Sequence, residues 1–155
     1  MISFNKIAVG ISLIVATTLV LKVNPASAGY TGSLEVKFNG LNNSKGQVCA
    51  KLFNGQAGFP GGDSGAAIKA AICAPIKNGS AVITFANLPY GNYAISAIHD
   101  INGDKKLQRN FFGAPTEGVG FSNNPTVVRS APGFNDAQFF VARSKTELSI
   151  KMKYF

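Results

Sequence analysis

The stretch "HDINGDKKLQRN", residues 99–110, holds the one histidine of the chain beside a ladder of short polar side chains. Asp100, Asn102 and Asp104 stand at positions 1, 3 and 5 of a calcium loop, Lys106 could lend its carbonyl at position 7, and Gln108 falls at position 9. Hard oxygen donors at this spacing are what calcium selects. Two departures exclude a standard EF-hand. Lys105 takes the sixth position, where the pattern has glycine, and Phe111 the twelfth, where it has a bidentate acid. A looser site stays open if Glu117, in "GAPTEG", returns to supply the missing acid, against the repulsion of Lys105, Lys106 and Arg109. The alternative is a polar turn in which Asp100 and Asn102 accept backbone N–H groups. No cofactor is required, and calcium is the ion to test.

Catalysis makes a weaker case. His99 and Asp100 are neighbours on a strand, so their side chains leave on opposite faces and do not form a base and its orienting acid. Ser122, in "GFSNN", is a conceivable nucleophile, with His99 as base and Glu117 or Asp100 as orienter, but "GVGFSNN" lacks a nucleophile elbow. With seven acids in the chain, any two can be nominated for sugar hydrolysis, so a pair such as Glu117 with Asp104 or Asp136 carries little information. A hydrolase using His99 with Ser122 or Glu117 is therefore the alternative, and His99 reads first as the hydrogen-bonded anchor of a loop.

Phe111, Phe112, Phe121 and Phe134 crowd one region, which suits either a small core of its own or an exposed platform for a ligand. Trp is absent and Tyr occurs four times, so a carbohydrate platform lacks its usual amphipathic aromatics. His99, Phe111, Phe112, Phe121, Ser122 and Asn123 are the candidate loop anchors or ligand-facing residues.

Strands must position these groups. Apolar residues alternate at Leu34, Val36, Phe38; at Val48, Ala50, Leu52; at Val82, Thr84, Phe85 with a break; at Tyr93, Ile95, Ala97; and at Leu148, Ile150, Met152, Tyr154. Turn-tolerant strings separate them, among them "NNSKG", "KNGS", "PYGN" and "RSKT". No apolar period of 3.6 is sustained. The pattern predicts an all-β antiparallel sandwich, immunoglobulin-like or prealbumin-like, of about seven strands. "AIKAAICAPI" (67–76) reads as a further strand, and "FNDAQFFVA" as a turn that becomes one. The Gly-rich segment 54–67 is expected to be mobile, and residues 99–136 to form one long ordered loop. The terminal Phe155 suggests a barrel signal, but counting back by twos gives Lys153, Lys151 and Ser149, a polar face, which argues against a membrane barrel.

At the other end, Lys6, an apolar run from Ile7 to Leu21, and Ala26-Ser27-Ala28 predict a signal peptide over 1–28 and a single domain over 29–155. An uncleaved anchor helix is the rival, although the run is shorter than the roughly 20 residues a bilayer needs. The domain then carries thirteen basic and seven acidic residues, a net charge of +6, scattered along the chain. Such a surplus suits a solvated surface or an anionic partner, and export argues against nucleic acid. Cys49 and Cys73 are expected to pair under oxidising conditions, two buried thiols being the alternative.

The stretch "VITFANLPYGNYAISAIHD" (82–100) resembles the strand-turn-strand core of prealbumin-like and collagen-adhesin B-type modules. There Pro89 would fix one turn dihedral, Gly91 would permit a positive one, and Phe85, Leu88 and Tyr93 would fill the core. The Pro-x-Gly-x-Tyr turn, the His-Asp-x-Asn ladder, the Gly-x-Pro-x-Glu-Gly segment and the Gly-Phe-Ser-Asn-Asn box together resemble the bacterial secreted family called domain of unknown function 2141, over about residues 34–154. That resemblance implies an exported β-sandwich of no established activity. The expected role is a noncatalytic binding or interaction module of the cell envelope, periplasmic or extracellular, whose partner is a glycan or protein. No stable membrane insertion is expected after signal removal, and a purely structural surface protein is the further alternative.

Overall fold

A computed structural model describes residues 29–62, 71–127 and 130–155; the expected signal peptide, 1–28, lies outside the described residues. Eight strands and one helical turn follow in order: β1 (Thr31–Asn39), β2 (Gln47–Phe53), β3 (Ile72–Pro75), β4 (Ala81–Pro89), β5 (Gly91–Asp100), β6 (Val119–Phe121), α1 (Phe134–Ala137), β7 (Phe139–Val141) and β8 (Lys145–Lys151). They build two sheets, one ordered β4-β1-β8 and the other β3-β2-β5-β6, with β7 pairing the start of β5. All pairs are antiparallel except β1 with β8, which run parallel from Ser33↔Lys145 to Asn39↔Lys151. The chain is a β-sandwich.

The expected alternation fills the space between the sheets. Leu34, Val36 and Phe38 of β1 meet Val48, Ala50 and Leu52 of β2, Tyr93, Ile95 and Ala97 of β5, and Ile150 and Met152 from the chain's end, all buried. In β4 the expected phase is wrong. Ala81, Ile83 and Phe85 face inward and Val82 is half exposed, because the register with β1 sets Phe38, Val36 and Leu34 against those three. The break comes later, at Asn87, whose φ of 56° resets the strand so that Leu88 turns in again. Asn87, not Gly91, takes the left-handed conformation here; Gly91 is an ordinary strand residue paired with Val141. The Tyr93 hydroxyl donates to the Pro89 carbonyl (2.6 Å) and ties the β4–β5 crossing between the sheets. At "KNGS", Asn78 and Gly79 both adopt positive φ, as a tight hairpin turn of that composition should.

A second apolar layer covers the outer face of the five-stranded sheet. Phe53 and Ala94 point away from the main core and pack with Phe121, Phe134 and Ala137, with Phe59 added from the Gly-rich segment. Phe59 meets Phe53 and Phe134 edge-on, with centroids 5.2 and 5.9 Å away. The Gly-rich segment is therefore anchored over 54–62, where Ser96 also donates to the Pro60 carbonyl (2.6 Å); its remainder, 63–67, lies outside the described residues. Nor is 99–136 one loop. It contains β6 and α1, and Asp136 caps that turn by accepting the Gly133 N–H (2.9 Å). β6 leaves no period in the sequence because Gly120 within it and Gly118 just before it stand where side chains would show one. A Cβ on Gly120 would stand 2.8 Å from both Ile150 and Met152, and one on Gly118 2.6 Å from the Tyr154 ring. These glycines let the end of the chain lie against β6, where Val119 and Lys153 exchange backbone hydrogen bonds.

Cys49 and Cys73 sit opposite each other in the β2–β3 register and form the disulfide. It closes a loop across 24 positions, for which chain entropy gives about 3 kcal/mol. Replacing both residues by Ala is expected to lower unfolding free energy by about that amount in a urea titration. An unchanged midpoint would mean that the bond contributes nothing to the folded state.

Candidate functional site

β5 ends in two fully buried polar side chains on opposite faces, His99 and Asp100. The alternation of the strand separates them. His99 points between the sheets. Its Nε2 lies 2.8 Å from the Lys45 carbonyl, which can only accept, so that nitrogen carries the proton. Its Nδ1 then accepts from the Tyr154 hydroxyl at 2.8 Å, and the Tyr154 oxygen in turn accepts the Asn42 N–H at 3.2 Å. Three distant segments thus close on one ring: the β1–β2 turn, the end of β5 and the end of the chain. Tyr154 continues the alternation of Leu148, Ile150 and Met152, which was the available sign that it faces inward.

Asp100 serves the outer face. Its Oδ1 accepts the Gly103 N–H (2.8 Å), and its Oδ2 accepts the Lys105 N–H (3.2 Å) and the Gln47 side-chain amide (2.8 Å). The Cys49 sulfur lies 3.6 Å away but has no proton to give, being in the disulfide. Farther along, Asn102 accepts the Asp104 N–H (3.1 Å), and Asp104 accepts the Lys106 N–H (2.8 Å) and the Gln108 amide (2.5 Å). Glu117 does return to the ladder, as the looser metal site requires. It is buried, and it spends one oxygen on the Ile101 N–H (2.9 Å) and the other on the Gln108 N–H (3.1 Å), closing the turn at both ends. Lys105 adopts φ of 61°, the left-handed conformation for which the calcium pattern uses glycine at this position. The carboxylates act on backbone donors, and among the described residues no group of three or more His, Cys, Asp or Glu is placed to share one ion.

Ser122 and His99 are not together. The Ser122 hydroxyl donates to the Ala137 carbonyl (2.5 Å) and accepts the Ile95 N–H (2.9 Å), four residues from His99, or about 13 Å along the strand. Both ring nitrogens of His99 are engaged elsewhere, and so are both oxygens of Glu117. The "SNN" box works as a clamp: Ser122 and Asn123 both hold the C-terminal end of α1, Asn123 by donating to the Gln138 carbonyl (2.6 Å). Asn124 reaches the other sheet, donating to the Ser149 carbonyl (3.0 Å) and accepting the Lys151 N–H (2.7 Å). Asn124 carries no local sequence signal for that bridge, because both of its partners lie on β8.

The four expected phenylalanines part company. Phe121 and Phe134 are buried in the outer layer, whereas Phe111 and Phe112 are 98% and 89% exposed. Between the ladder and that layer lies a cleft of ≈ 930 Å³. Ser96 and Ile98 of β5 and Cys49 and Lys51 of β2 line its floor, while Lys105, Lys106, Arg109 and Phe112 line one wall.

A family model described as "Uncharacterized protein conserved in bacteria (DUF2141)" matches residues 36–149. No curated protein and no solved structure matches the chain.

Two outcomes follow from the hydrogen bonds. Tyr154→Phe leaves buried Nδ1 of His99 without a donor and should cost about 1–3 kcal/mol in denaturant titration. Burial raises the Tyr154 hydroxyl above its ordinary 10.0, the Asn42 N–H pulling the other way, so the folded protein holds that proton more tightly than the unfolded chain. This contribution is complete below pH 10 and is lost as pH climbs through the raised value; thermal midpoints should fall in that range, less steeply in the Phe variant. Tyr93, also raised by burial, keeps the remainder. Separately, Glu117→Gln turns an amide N–H toward Ile101 or Gln108 and should cost about 1–3 kcal/mol even in excess chelator. Equal midpoints for wild type and variant in chelator would contradict a turn-closing role.

Proposed function

The chain belongs to the DUF2141 family of bacterial proteins, and on that premise we propose that it is an exported, noncatalytic binding module of the cell envelope or exterior. Its ligand would lie in the cleft on the outer face of the five-stranded sheet. The observation that carries this reading is the cleft itself: a concave surface of ≈ 930 Å³ whose floor is the hydrogen-bonded pair β2 and β5, with β2 tied to β3 by the disulfide, and whose wall bears three cations and an aromatic ring. Pockets of that size, with an apolar lining and a few convergent polar groups, are the usual form of a ligand site. The engagement of His99, Ser122 and Glu117 in fixed internal hydrogen bonds supports binding over hydrolysis, because none of the three is presented to a substrate. The cationic wall favours an acidic glycan strand among the envelope partners, with charge setting orientation and the floor supplying contact.

The test is equilibrium binding of acidic and neutral envelope glycan fragments to the protein, to Ile98→Trp, which fills the floor, and to Lys106→Glu, which reverses one wall charge. Saturable binding weakened about tenfold or more by both variants, at unchanged melting temperature, supports the reading. Binding indifferent to both, or none to any fragment, overturns it.

A further inference from the structure

Beyond the cleft, the tip of its wall has its own chemistry. Residues 108–116 form a small hairpin, with Arg109 bridged to Pro115 and the Thr116 N–H donating to the Gln108 carbonyl (2.9 Å). At its end the Gly113 N–H donates to the Asn110 carbonyl, and the Asn110 N–H donates to the Ala114 carbonyl, each at 2.9 Å. The Asn110 side-chain oxygen accepts the N–H groups of Phe112 and Ala114, both at 3.0 Å, and Arg109 donates to the Gly113 carbonyl (2.8 Å). The turn is held by its own bonds and projects Phe111 and Phe112 into solvent, their rings edge to face with centroids 5.6 Å apart. A single exposed Phe needs no explanation, but two adjacent ones on a self-braced turn do.

The geometry points to this tip as a docking element for an anionic lipid surface. Three observations select that partner. The N–H groups of Asn110, Phe112, Gly113 and Ala114 are already bonded within the turn, so the tip can enter the interfacial region without carrying those donors in unpaired. Exposed Lys105 and Lys106 and the partly engaged Arg109 share the wall with Phe112, the arrangement in which cations meet headgroups while apolar rings pass below them. Asp104, the acid in that wall, is turned to Asn102 and Gln108. Third, two Phe rings cover about 300–500 Å². That is short of the roughly 800 Å² a partner contributes to a stable protein interface. It is ample for a shallow, reversible insertion. Docking by the tip would leave the cleft beside the lipid surface, open to whatever lies along it.

The experiment is co-sedimentation of the full chain, in the form the host accumulates, with vesicles of phosphatidylcholine alone and of phosphatidylcholine mixed with phosphatidylglycerol. Wild type is compared with Phe111→Ser/Phe112→Ser and Lys105→Ala/Lys106→Ala, so that any contribution of residues 1–28 is common to all. The expected result is preferential binding to the anionic vesicles, on the order of thirtyfold weaker without the two lysines. The two serines should reduce it at least as much, with melting temperatures unchanged because neither ring packs on the core. Equal sedimentation of wild type and the serine variant overturns the inference. So does self-association in sedimentation velocity that depends on Phe111 and Phe112 in the absence of vesicles, which would make the occupant a second copy.

Discussion

Both faces of β5 are covered, and the rest of the molecule answers to that constraint. A strand in a two-layer sandwich ordinarily shows one face to water. Here the main core lies beneath, the Phe53–Phe59–Phe121–Phe134 layer covers the start of the strand above and the loop after Asp100 covers its end, so His99 and Asp100 must find their partners inside the protein. His99 draws the β1–β2 turn and the end of the chain to one face; Asp100 winds the following loop on the other. The position of the cleft wall is a consequence, because the loop that forms it begins at Asp100 and is closed by Glu117.

The resulting surface is stiff where ligand sites usually need stiffness. The cleft floor is sheet, and its wall is a loop whose carboxylates and amides bond its own backbone instead of solvent. Such preorganisation lowers the ordering cost of binding, which often decides affinity at modest contact area. The ladder resembles a calcium loop in using Asp and Asn oxygens to wind a chain tightly, and these oxygens accept the backbone N–H groups of Gly103, Asp104, Lys105 and Lys106.

Much of this was legible. Alternating apolar residues announce five of the strands, the cysteine pair lies in opposing register, and His99 is buried with both ring nitrogens hydrogen-bonded. What escaped did so for physical reasons. The phase of β4 depends on its pairing with β1 and on a left-handed Asn87, neither of which leaves a mark in hydrophobicity. β6 has Gly120 at its centre and Gly118 just before it, where a period would be read, since Ile150, Met152 and Tyr154 fill that space. Phe111 and Phe112 look like core residues by composition, and only the closed Asn110 turn shows that they point outward. Asn124 bridges two sheets through contacts at separations of 25 and 27 residues, beyond any local pattern.

The parallel pairing of β1 with β8 has a kinetic side. β8 supplies one edge of the three-stranded sheet, and its first register pair with β1 spans 112 positions of the chain. Contacts of such separation form late, because the loop they close must be ordered before the pairing rewards it. Without residues 145–154 the fold lacks one sheet edge, the Ile150 and Met152 portion of the core and the hydroxyl partner of His99. The three-stranded sheet is therefore completed by its most distant pairing, and the domain closes as a whole when residues 145–151 join β1.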